Sequence, residues 1–459
     1  MDPDGKNPGP LDIRTLALLH EAAVRLSQSF AQLPEFVPAE HDARIAAVLD
    51  QVTGRLADNY PYFHPLYAGQ MLKPPHPVAR LAYSLAMFVN PNNHALDGGR
   101  ASSQMEKEAV AEIAAMFGWQ EFIGHLCGGG TVANLEALWV AGQLHRGKTI
   151  VASSQAHYTH SRISGVLRIP FAEIACDGRG RMDVGALEAC LKTRDVGCVV
   201  ATLGTTAVGA VDPLPAILQL REKYGFRVHV DAAYGGYFTL ADNLAGDAMA
   251  AFDRIGEADS IVIDPHKHGL QPYGCGCVLF RDPAVGKLYK HDSPYTYFTS
   301  SGDLHLGEIS LECSRAGASA VALWATQKLL PLTRRGEFAD GLSSCRAAAL
   351  AFHARLSADP RWVTPFPPEL DIVVWAPRVQ LASQASNSSR EIFAAAARHD
   401  LHLALATLPA RFFANEVGMK MDTDSVTCLR SVLMKPEHQQ WVKMIGDRLD
   451  EAAAEVMRR

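Results

Sequence analysis

Short apolar strands alternate with helical segments through the middle of the chain, and this alternation limits the possible folds more than any other feature. The predicted strands lie at residues 149–153, 172–176, 197–203, 226–230, 261–263 and 276–280. Parallel strands that helices cover on both faces are apolar throughout, as these are. The sequence therefore predicts an α/β protein with a mostly parallel sheet, in which ligands bind beyond the carboxyl ends of the strands.

The chain has 459 residues, which is too long for one ordinary hydrophobic core. Residues 11–57 predict two amphipathic helices that cannot bury much surface by themselves. A smaller α/β segment follows the main alternation of strands and helices. We therefore predict an N-terminal helical arm at 1–60, a large domain at 61–350 and a small C-terminal domain at 351–459.

Apolar runs in the C-terminal part predict strands at 371–375, near 402–407 and at 426–433. The stretch 381–390 is rich in Ser, Gln and Asn, and this composition predicts a surface loop that leads into a helix at 388–399.

Charge and cysteine content exclude several classes of protein. The chain carries 43 Lys and Arg against 49 Asp and Glu, a net charge of -6, and has no basic block, which argues against nucleic acid or a membrane as partner. Its nine cysteines lack the tight spacing of a disulfide framework, so we expect reduced thiols and a cytoplasmic protein. We expect no signal peptide and no membrane span. We also expect no metal site, since the pair Cys275 and Cys277 stands alone.

Lys267 follows the predicted strand at 261–263, in the sequence Asp264-Pro-His-Lys267. A lysine just beyond a buried strand either extends its amine to water or uses it for chemistry such as Schiff-base formation. Taken alone, a solvated lysine is the simpler interpretation.

Three further features bear on the choice. Cys127-Gly-Gly-Gly-Thr131 runs into a helix, whose N-terminal amides favour an anion, although glycine clusters before helices are common. Asp231 follows another buried strand, and His157 offers a flat ring. Pyridoxal phosphate needs a phosphate site, an amine, an acid at the ring nitrogen and a flat group over the ring. The four features together therefore indicate this cofactor.

The same segments resemble the ordered signatures of a known family. Cys127–Leu135, Ala156-His157, Gly204–Asp212, His229–Gly235 and Asp264–Lys267 resemble those of the group II pyridoxal phosphate decarboxylases, which include glutamate and aromatic amino acid decarboxylases. The resemblance extends from about residue 64 to residue 436. It implies a fold type I, pyridoxal-phosphate-dependent transferase-like architecture with a seven-stranded, mostly parallel sheet.

The resemblance also implies roles for individual residues. Lys267 would form the Schiff base, Asp231 would pair with the ring nitrogen, and His157 would cover the ring. The implied cofactor-binding set is Gly129, Gly130, Thr131, His157, Thr206, Asp231, Ala233, His266 and Lys267. Without the resemblance, His157 could be an ordinary core histidine and Thr206 could make a plain hydrogen bond at a strand end.

Two more matches concern the substrate. The segment His64–Met71, which contains Gln70, resembles the part of glutamate decarboxylase that reaches the mouth of the active site. Arg430 lies in a segment that resembles the one whose arginine holds the substrate carboxylate, a role that suits a bidentate guanidinium.

The substrate side chain stays open on the sequence alone. Gln70 and Lys73 could favour an acidic side chain, whereas Tyr60, Phe63 and Tyr67 could favour an aromatic one.

The chain departs from the family pattern at two places. His268 follows the lysine, where a bulky apolar residue is common. The family's proton-donating loop tyrosine has two counterparts here, Tyr295 and Tyr297, of which we choose Tyr295.

We therefore expect a carboxy-lyase that decarboxylates an L-amino acid to its amine and carbon dioxide. The expected catalytic residues are Lys267, Asp231, His157 and Tyr295. The resemblance implies a homodimer with shared active sites. Another lyase, an aldehyde synthase or a transaminase on the same fold remains an alternative, as does a non-catalytic binding protein.

Overall fold

The computed structural model describes residues 11–36, 42–290, 305–414 and 419–457. Its helices are α1 (Leu16–Gln28), α2 (Arg44–Leu56), α3 (Pro77–Met87), α4 (Arg100–Met116), α5 (Gly130–Leu144), α6 (Thr159–Leu167), α7 (Val184–Thr193), α8 (Leu214–Tyr224), α9 (Gly246–Asp253), α10 (Gly286–Tyr289), α11 (Gly317–Leu329), α12 (Glu337–Ala358), α13 (Ala382–Arg398) and α14 (His438–Met457). Its strands are β1 (Ile123–Cys127), β2 (Thr149–Ser153), β3 (Phe171–Ile174), β4 (Val196–Thr202), β5 (Arg227–Asp231), β6 (Ser260–Ile263), β7 (Gly276–Phe280), β8 (Trp362–Val363), β9 (Ile372–Pro377), β10 (Ala404–Pro409) and β11 (Ser425–Val432).

The large sheet has seven strands in the order β1-β7-β6-β5-β4-β2-β3. The pairs among β2, β3, β4, β5 and β6 are parallel, and β7 runs antiparallel to both of its neighbours. Strands β4, β6 and β7 are buried along their whole length, as expected for a sheet covered on both faces. The prediction of a mostly parallel, seven-stranded α/β sheet is confirmed.

The register of this sheet brings the expected chemical groups to one edge. Asp231 is the last residue of β5 and Asp264 directly follows β6, which pairs with β5 in parallel. The carboxyl ends of parallel strands lie at the same edge, so both carboxylates and the loop after β6 are neighbours.

Strand β1 was missed by the sequence analysis. Its sequence Ile-Gly-His-Leu-Cys contains a glycine and a histidine and therefore lacks the apolar run that identified the other strands. It pairs antiparallel with β7, with Cys127 opposite Gly276. This pairing fixes the start of the glycine-rich segment against the sheet.

The C-terminal part contains an antiparallel sheet in the order β10-β11-β9-β8, packed with α12, α13 and α14. The predicted loop at 381–390 is wrong, because helix α13 begins at Ala382. Its small residues Ala382, Ala385, Ser386 and Ser389 are buried at helical spacing, and the Ser386 hydroxyl donates to the Ala382 carbonyl at 3.0 Å. Packing of this face outweighs a polar composition that favours loops.

Helices α1 and α2 have no buried residues. Apolar side chains are exposed on both, including Leu16 and Leu18 on α1 and Leu49 and Val52 on α2. Helix α1 lies against α3, and Arg80 donates to the Asp12 carbonyl at 2.9 Å. Among the helices that the structure describes, none is long and apolar enough to cross a membrane. The division of the chain at residues 60 and 350 stays a prediction.

Candidate active site

A glycine turn connects β1 to the N-terminus of α5. Gly129 has a φ of 143°, in the region that side chains rarely adopt. A Cβ atom on Gly129 would lie 3.2 Å from the His266 ring, and one on Gly130 would lie 2.7 Å from Asp264 Oδ2. The turn therefore needs glycine for its conformation and for its close approach to the loop after β6. It leaves backbone amides at the start of a fifteen-residue helix, where the helix dipole favours an anion.

Lys267 lies on the loop after β6, with its side chain about one fifth exposed. Its Nζ atom is 3.0 Å from Asp264 Oδ2. The other oxygen of this carboxylate, Oδ1, is buried and has no hydrogen-bond partner in the described part of the chain. The amine is therefore held by one charged contact and remains accessible from the cavity.

The Asp231 carboxylate is 5% exposed and makes two hydrogen bonds. His160 Nε2 lies 2.8 Å from Oδ2, and the Ala233 amide donates to Oδ1 at 3.1 Å. Burial alone would raise the pKa of Asp231, but the hydrogen bond and charge of His160, with His229 and Lys267 nearby, outweigh it and hold the pKa well below its usual range. Asp231 is therefore ionised.

Two histidines border the same space. The His157 Nδ1 atom is 2.8 Å from Thr159 Oγ1, and burial lowers the pKa of His157 more than the nearby Asp231 raises it. His266 Nδ1 is 2.8 Å from the Cys275 carbonyl, and burial lowers the pKa of His266 more than Asp264 raises it. Both rings are therefore oriented by fixed partners and favour the neutral form.

These groups line one cavity of about 360 Å³ at the carboxyl edge of the large sheet. Its lining includes every position of the expected cofactor set, namely Gly129, Gly130, Thr131, His157, Thr206, Asp231, Ala233, His266 and Lys267. The cavity lies where open α/β sheets bind ligands.

The two expected substrate residues contact each other and are not among the residues that line this cavity. Arg430 is 4% exposed, and its guanidinium donates to the carbonyls of Ala207 and Thr206 at 3.0 and 2.7 Å. Its third contact is with Gln70 Oε1 at 3.0 Å. Arg430 thus supports the backbone next to Thr206. Tyr295 and Tyr297 lie outside the described residues.

Lys73, a candidate for selecting acidic substrates, is not among the residues that line this cavity. Phe63, a candidate for selecting aromatic substrates, is not among them either. Both residues border a second cavity instead.

Sequence reasoning missed several residues of the site, including Asp264, Tyr273 and His160. Asp264 and Tyr273 line the cavity, and the Tyr273 ring stacks on His266 with centroids 4.7 Å apart. His160 lies behind Asp231 and is 1% exposed. Asp264 could have been found from its place three residues before Lys267, whereas the pairing of His160 with Asp231 depends on how α6 lies against β5.

The residues of the site fit pyridoxal 5'-phosphate. At Gly129 and Gly130 a Cβ atom would crowd His266 and Asp264, so the turn presents bare backbone next to helix N-terminal amides that suit a phosphate. An ionised carboxylate, Asp231, suits a protonated ring nitrogen, and a lysine amine, Lys267, suits an aldehyde.

The fold and the site define an α/β protein whose cavity presents a lysine, an ionised aspartate and an anion-binding turn. The model of the pyridoxal-dependent decarboxylase conserved domain matches residues 138–375, which is more than half of the chain. The chain belongs to the pyridoxal-dependent decarboxylase family, whose cofactor is pyridoxal phosphate.

Curated relatives in this family carry different substrate names. The chain is 30% identical to an L-tyrosine decarboxylase of Enterococcus faecium, over 63% of this chain and 64% of the relative. It is also 30% identical to an L-aspartate decarboxylase of Thermococcus kodakarensis, over 57% of this chain and 67% of the relative. The chain thus spans slightly less than two thirds of the length of the tyrosine decarboxylase.

Solved structures share the fold over nearly the whole chain. Mouse CSAD has a TM-score of 0.77 at 18% identity, covering 96% of this chain and 99% of its own. Oryza sativa TDC, whose structure contains PLP and tryptamine, has a TM-score of 0.78 at 17% identity, covering 98% of this chain and 100% of its own. The fold is therefore that of the fold type I pyridoxal phosphate enzymes.

Proposed function

We propose that this protein is a pyridoxal-phosphate-dependent carboxy-lyase that converts an L-amino acid to the corresponding amine and carbon dioxide. The observation that carries the proposal is the single cavity that Lys267, Asp231, His157 and the glycine turn at 128–130 line together. Membership of the decarboxylase family and the names of the curated relatives support the same activity.

The chain's own residues would hold the cofactor at three points. The amides and hydroxyl of Gly129, Gly130 and Thr131 would bind the phosphate, and the Lys267 amine would hold the aldehyde carbon. His157 and Ala233 would lie on the two faces of the ring. When bound, the cofactor supplies an electron sink that weakens the bond between Cα and the substrate carboxylate.

Asp231 would keep the ring nitrogen protonated, since it is ionised and buried. His160 Nε2, at 2.8 Å, keeps one oxygen of this carboxylate fixed, and the Ala233 amide fixes the other. The negative charge of Asp231 would therefore be oriented before the substrate binds. No free energy would then be needed to reorient it during the reaction.

Proton transfers at the reacting carbon would involve residues on both sides of the cavity. Lys267 Nζ, beside Asp264, would exchange protons with the substrate amine when that amine replaces the lysine at the cofactor, and again when the product amine leaves. Tyr295 or His157 would supply the proton that replaces the lost carboxylate. His157 favours the neutral form, and its Nδ1 is engaged by Thr159, so Nε2 is the nitrogen left for this role.

Substrate binding would involve the Gln70 and Arg430 pair at the side of Thr206. Arg430 already donates to two carbonyls, so we propose that it acts by holding the Thr206 backbone at the cavity wall and that Gln70, which is exposed, reaches the substrate.

We further propose a homodimer with shared active sites, which acts in the cytoplasm. The exposed apolar residues of α1 and α2 support an arm that packs on a second subunit. The nine cysteines, all free, support a reducing compartment.

An amino-acid panel tests the proposed reaction. The cofactor-loaded protein is incubated with each of the twenty L-amino acids, starting with tyrosine and aspartate, and carbon dioxide and amine are both quantified. We expect equal amounts of the two products from at least one amino acid, and none from the same chain with Lys267→Ala. Carbon dioxide with aldehyde in place of amine would instead indicate the aldehyde synthase, and a 2-oxo acid without carbon dioxide would indicate the transaminase. No product from any amino acid would contradict the proposal.

A further inference from the structure

A second cavity, of about 470 Å³, lies on the other side of the loop that carries Lys267. His266, Lys267 and Tyr273 line the candidate active site, whereas His268 and Leu270 line the second cavity. Adjacent residues of one loop therefore face two different spaces. The second cavity also borders α12 and the segment after β11.

Two lysine amines line this cavity. Lys435 is 4% exposed, and its Nζ donates to the Tyr67 carbonyl at 2.6 Å. The half-buried Lys73 donates to the Met434 carbonyl at 3.2 Å. An ammonium has three donors, so each amine has N–H groups to spare. Burial, followed by the charge of Lys73, lowers the pKa of Lys435 to about 7.

Neither amine forms an ion pair with a carboxylate of the described residues. A buried ammonium that no carboxylate contacts is costly, and two such groups repel each other, while the nearby charge of Glu437 offsets only part of this cost. An anion that bound between Lys73 and Lys435 would remove both costs.

His268 adds an independent sign of a missing partner. The side chain is 1% exposed, and its Nε2 lies 3.1 Å from Asp371 Oδ2. Both ring nitrogens of His268 are buried, and neither makes a hydrogen bond within the described ranges. Buried polar atoms of proteins are nearly always satisfied, so an unsatisfied one in the wall of a cavity points to a ligand.

The remaining walls define the chemistry of that ligand. Phe63, Phe338 and Leu342 provide apolar surface. Glu337, Asp340 and Glu437 also line the cavity and are exposed, and Glu437 lies close enough for its charge to act on both Lys73 and Lys435. They would repel a second negative charge, which disfavours a phosphate dianion relative to a single carboxylate.

We propose that this cavity is a binding site for a small organic monocarboxylate, with its carboxylate between Lys73 and Lys435 and its apolar body against Phe63 and Phe338. The site is separate from the candidate active site and does not depend on the proposed decarboxylation. His268, which lines this cavity, directly follows Lys267 in the chain.

Calorimetric titration of the cofactor-loaded protein with 3-phenylpropanoate tests the proposal. We expect Lys435→Met and Lys73→Met each to raise the Kd about tenfold or more, since each removes a charged hydrogen-bond donor. The control Lys443→Met changes an exposed lysine on α14 and should leave the Kd unchanged. The neutral amide of the same acid should bind much more weakly than the acid.

Unchanged affinity in both cavity variants, or equal affinity for acid and amide, would overturn the proposal. Retained cofactor absorbance checks that the variants are folded. If Lys435→Met does not fold, a crystal of the unaltered protein soaked with 3-phenylpropanoate decides the question. The proposal requires density for the carboxylate between Lys73 and Lys435, and density at another site alone would contradict it.

Discussion

Asp231 shows how neighbouring groups can set the ionisation state of a buried carboxylate. It is buried next to β6, where burial alone would favour its protonated form. The hydrogen bond and charge of His160, at 2.8 Å, make the largest opposing contribution, and His229 and Lys267 add to it. We therefore regard His160 as a positioning residue that acts on the cofactor through Asp231.

Replacing His160 tests this role. His160→Leu removes the hydrogen bond to a charged group, and we expect cofactor affinity to fall about tenfold or more. His160→Gln keeps an N–H donor and should recover part of the loss. The measurement is a fluorescence titration of the apoprotein with pyridoxal phosphate, which does not depend on turnover. Identical dissociation constants for all three proteins would show that His160 has no such role.

His229 gives a pH-dependent contribution to stability. It is 1% exposed, with Asn134 and Ser260 as hydrogen-bond partners, and burial lowers its pKa to about 3. Between pH 6.5 and about 3 the unfolded chain binds a proton at this site and the folded chain does not, so stability falls as the pH is lowered. Integrated from pH 6.5 to pH 5, the effect is about 2 kcal/mol.

We therefore expect His229→Gln to make the denaturant midpoint less sensitive to pH between 7 and 5 than that of the unaltered protein. The exposed His20 on α1, changed to Gln, is the matched control and should keep the original sensitivity. A His229→Gln protein with the same pH sensitivity as the control would contradict this account.

The sequence predicts individual cofactor-binding residues where they lie within short motifs. The expected cofactor positions, such as Gly129 and Lys267, lie in short segments at the ends of strands, and they meet because strand ends meet. His160 and Asp371 were not predicted, since each contacts its partner only through packing between separate elements. For Arg430 the predicted contact with the substrate stays a prediction, and within the chain its guanidinium contacts two backbone carbonyls and Gln70.

At the scale of elements, the glycine turn before α5 connects local conformation to ligand binding. Its backbone is tightly enclosed, since a Cβ atom on Gly276 of β7 would lie 2.5 Å from the Gly129 backbone. The turn, β7 and the loop after β6 therefore fix one another. We therefore expect a change in the turn, in β7 or in the loop after β6 to weaken phosphate binding.

Gly129→Ala tests the turn. We expect cofactor affinity to fall at least about tenfold, because alanine disfavours a φ of 143° and its Cβ would contact His266. Gly165→Ala is the matched control, since Gly165 lies in α6 with open space around it and a helical alanine is favourable there. Equal cofactor affinity in the Gly129→Ala protein and the control would contradict the proposed phosphate site.

Apolar periodicity predicted most helices and buried strands, because both features come directly from burial. It failed at the first turns of α13, where the buried residues are Ala and Ser, and at β1, whose short sequence includes Gly and His. In both cases the residues are small or polar, and tertiary packing rather than hydrophobicity decides the conformation.

At the scale of the whole molecule, the exposed apolar stripe on α2 is consistent with an assembly. Ile45, Val48, Leu49, Val52 and Leu56 recur at helical spacing, and all are at least 43% exposed. A stripe of this kind is normally buried against another element, and no described part of the chain covers this one. The proposed homodimer would bury it.

Introducing charged residues on this stripe should therefore dissociate the proposed dimer. We expect the double variant Leu49→Glu with Val52→Glu to sediment as a monomer and to lose activity, whereas Gln51→Glu on the other side of α2 should behave as the unaltered protein does. A double variant that stays dimeric by analytical ultracentrifugation would show that this stripe is not the interface.

Reductive trapping of the cofactor tests the central claim most directly, because the chain contains other lysines with buried or half-buried amines. The protein is loaded with pyridoxal phosphate, treated with borohydride, digested and mapped by mass spectrometry. We predict that the stable cofactor adduct lies on Lys267 and that Lys267→Ala abolishes it. An adduct at Lys73 or Lys435 with none at Lys267, or no adduct at all, would contradict the assignment of the active site.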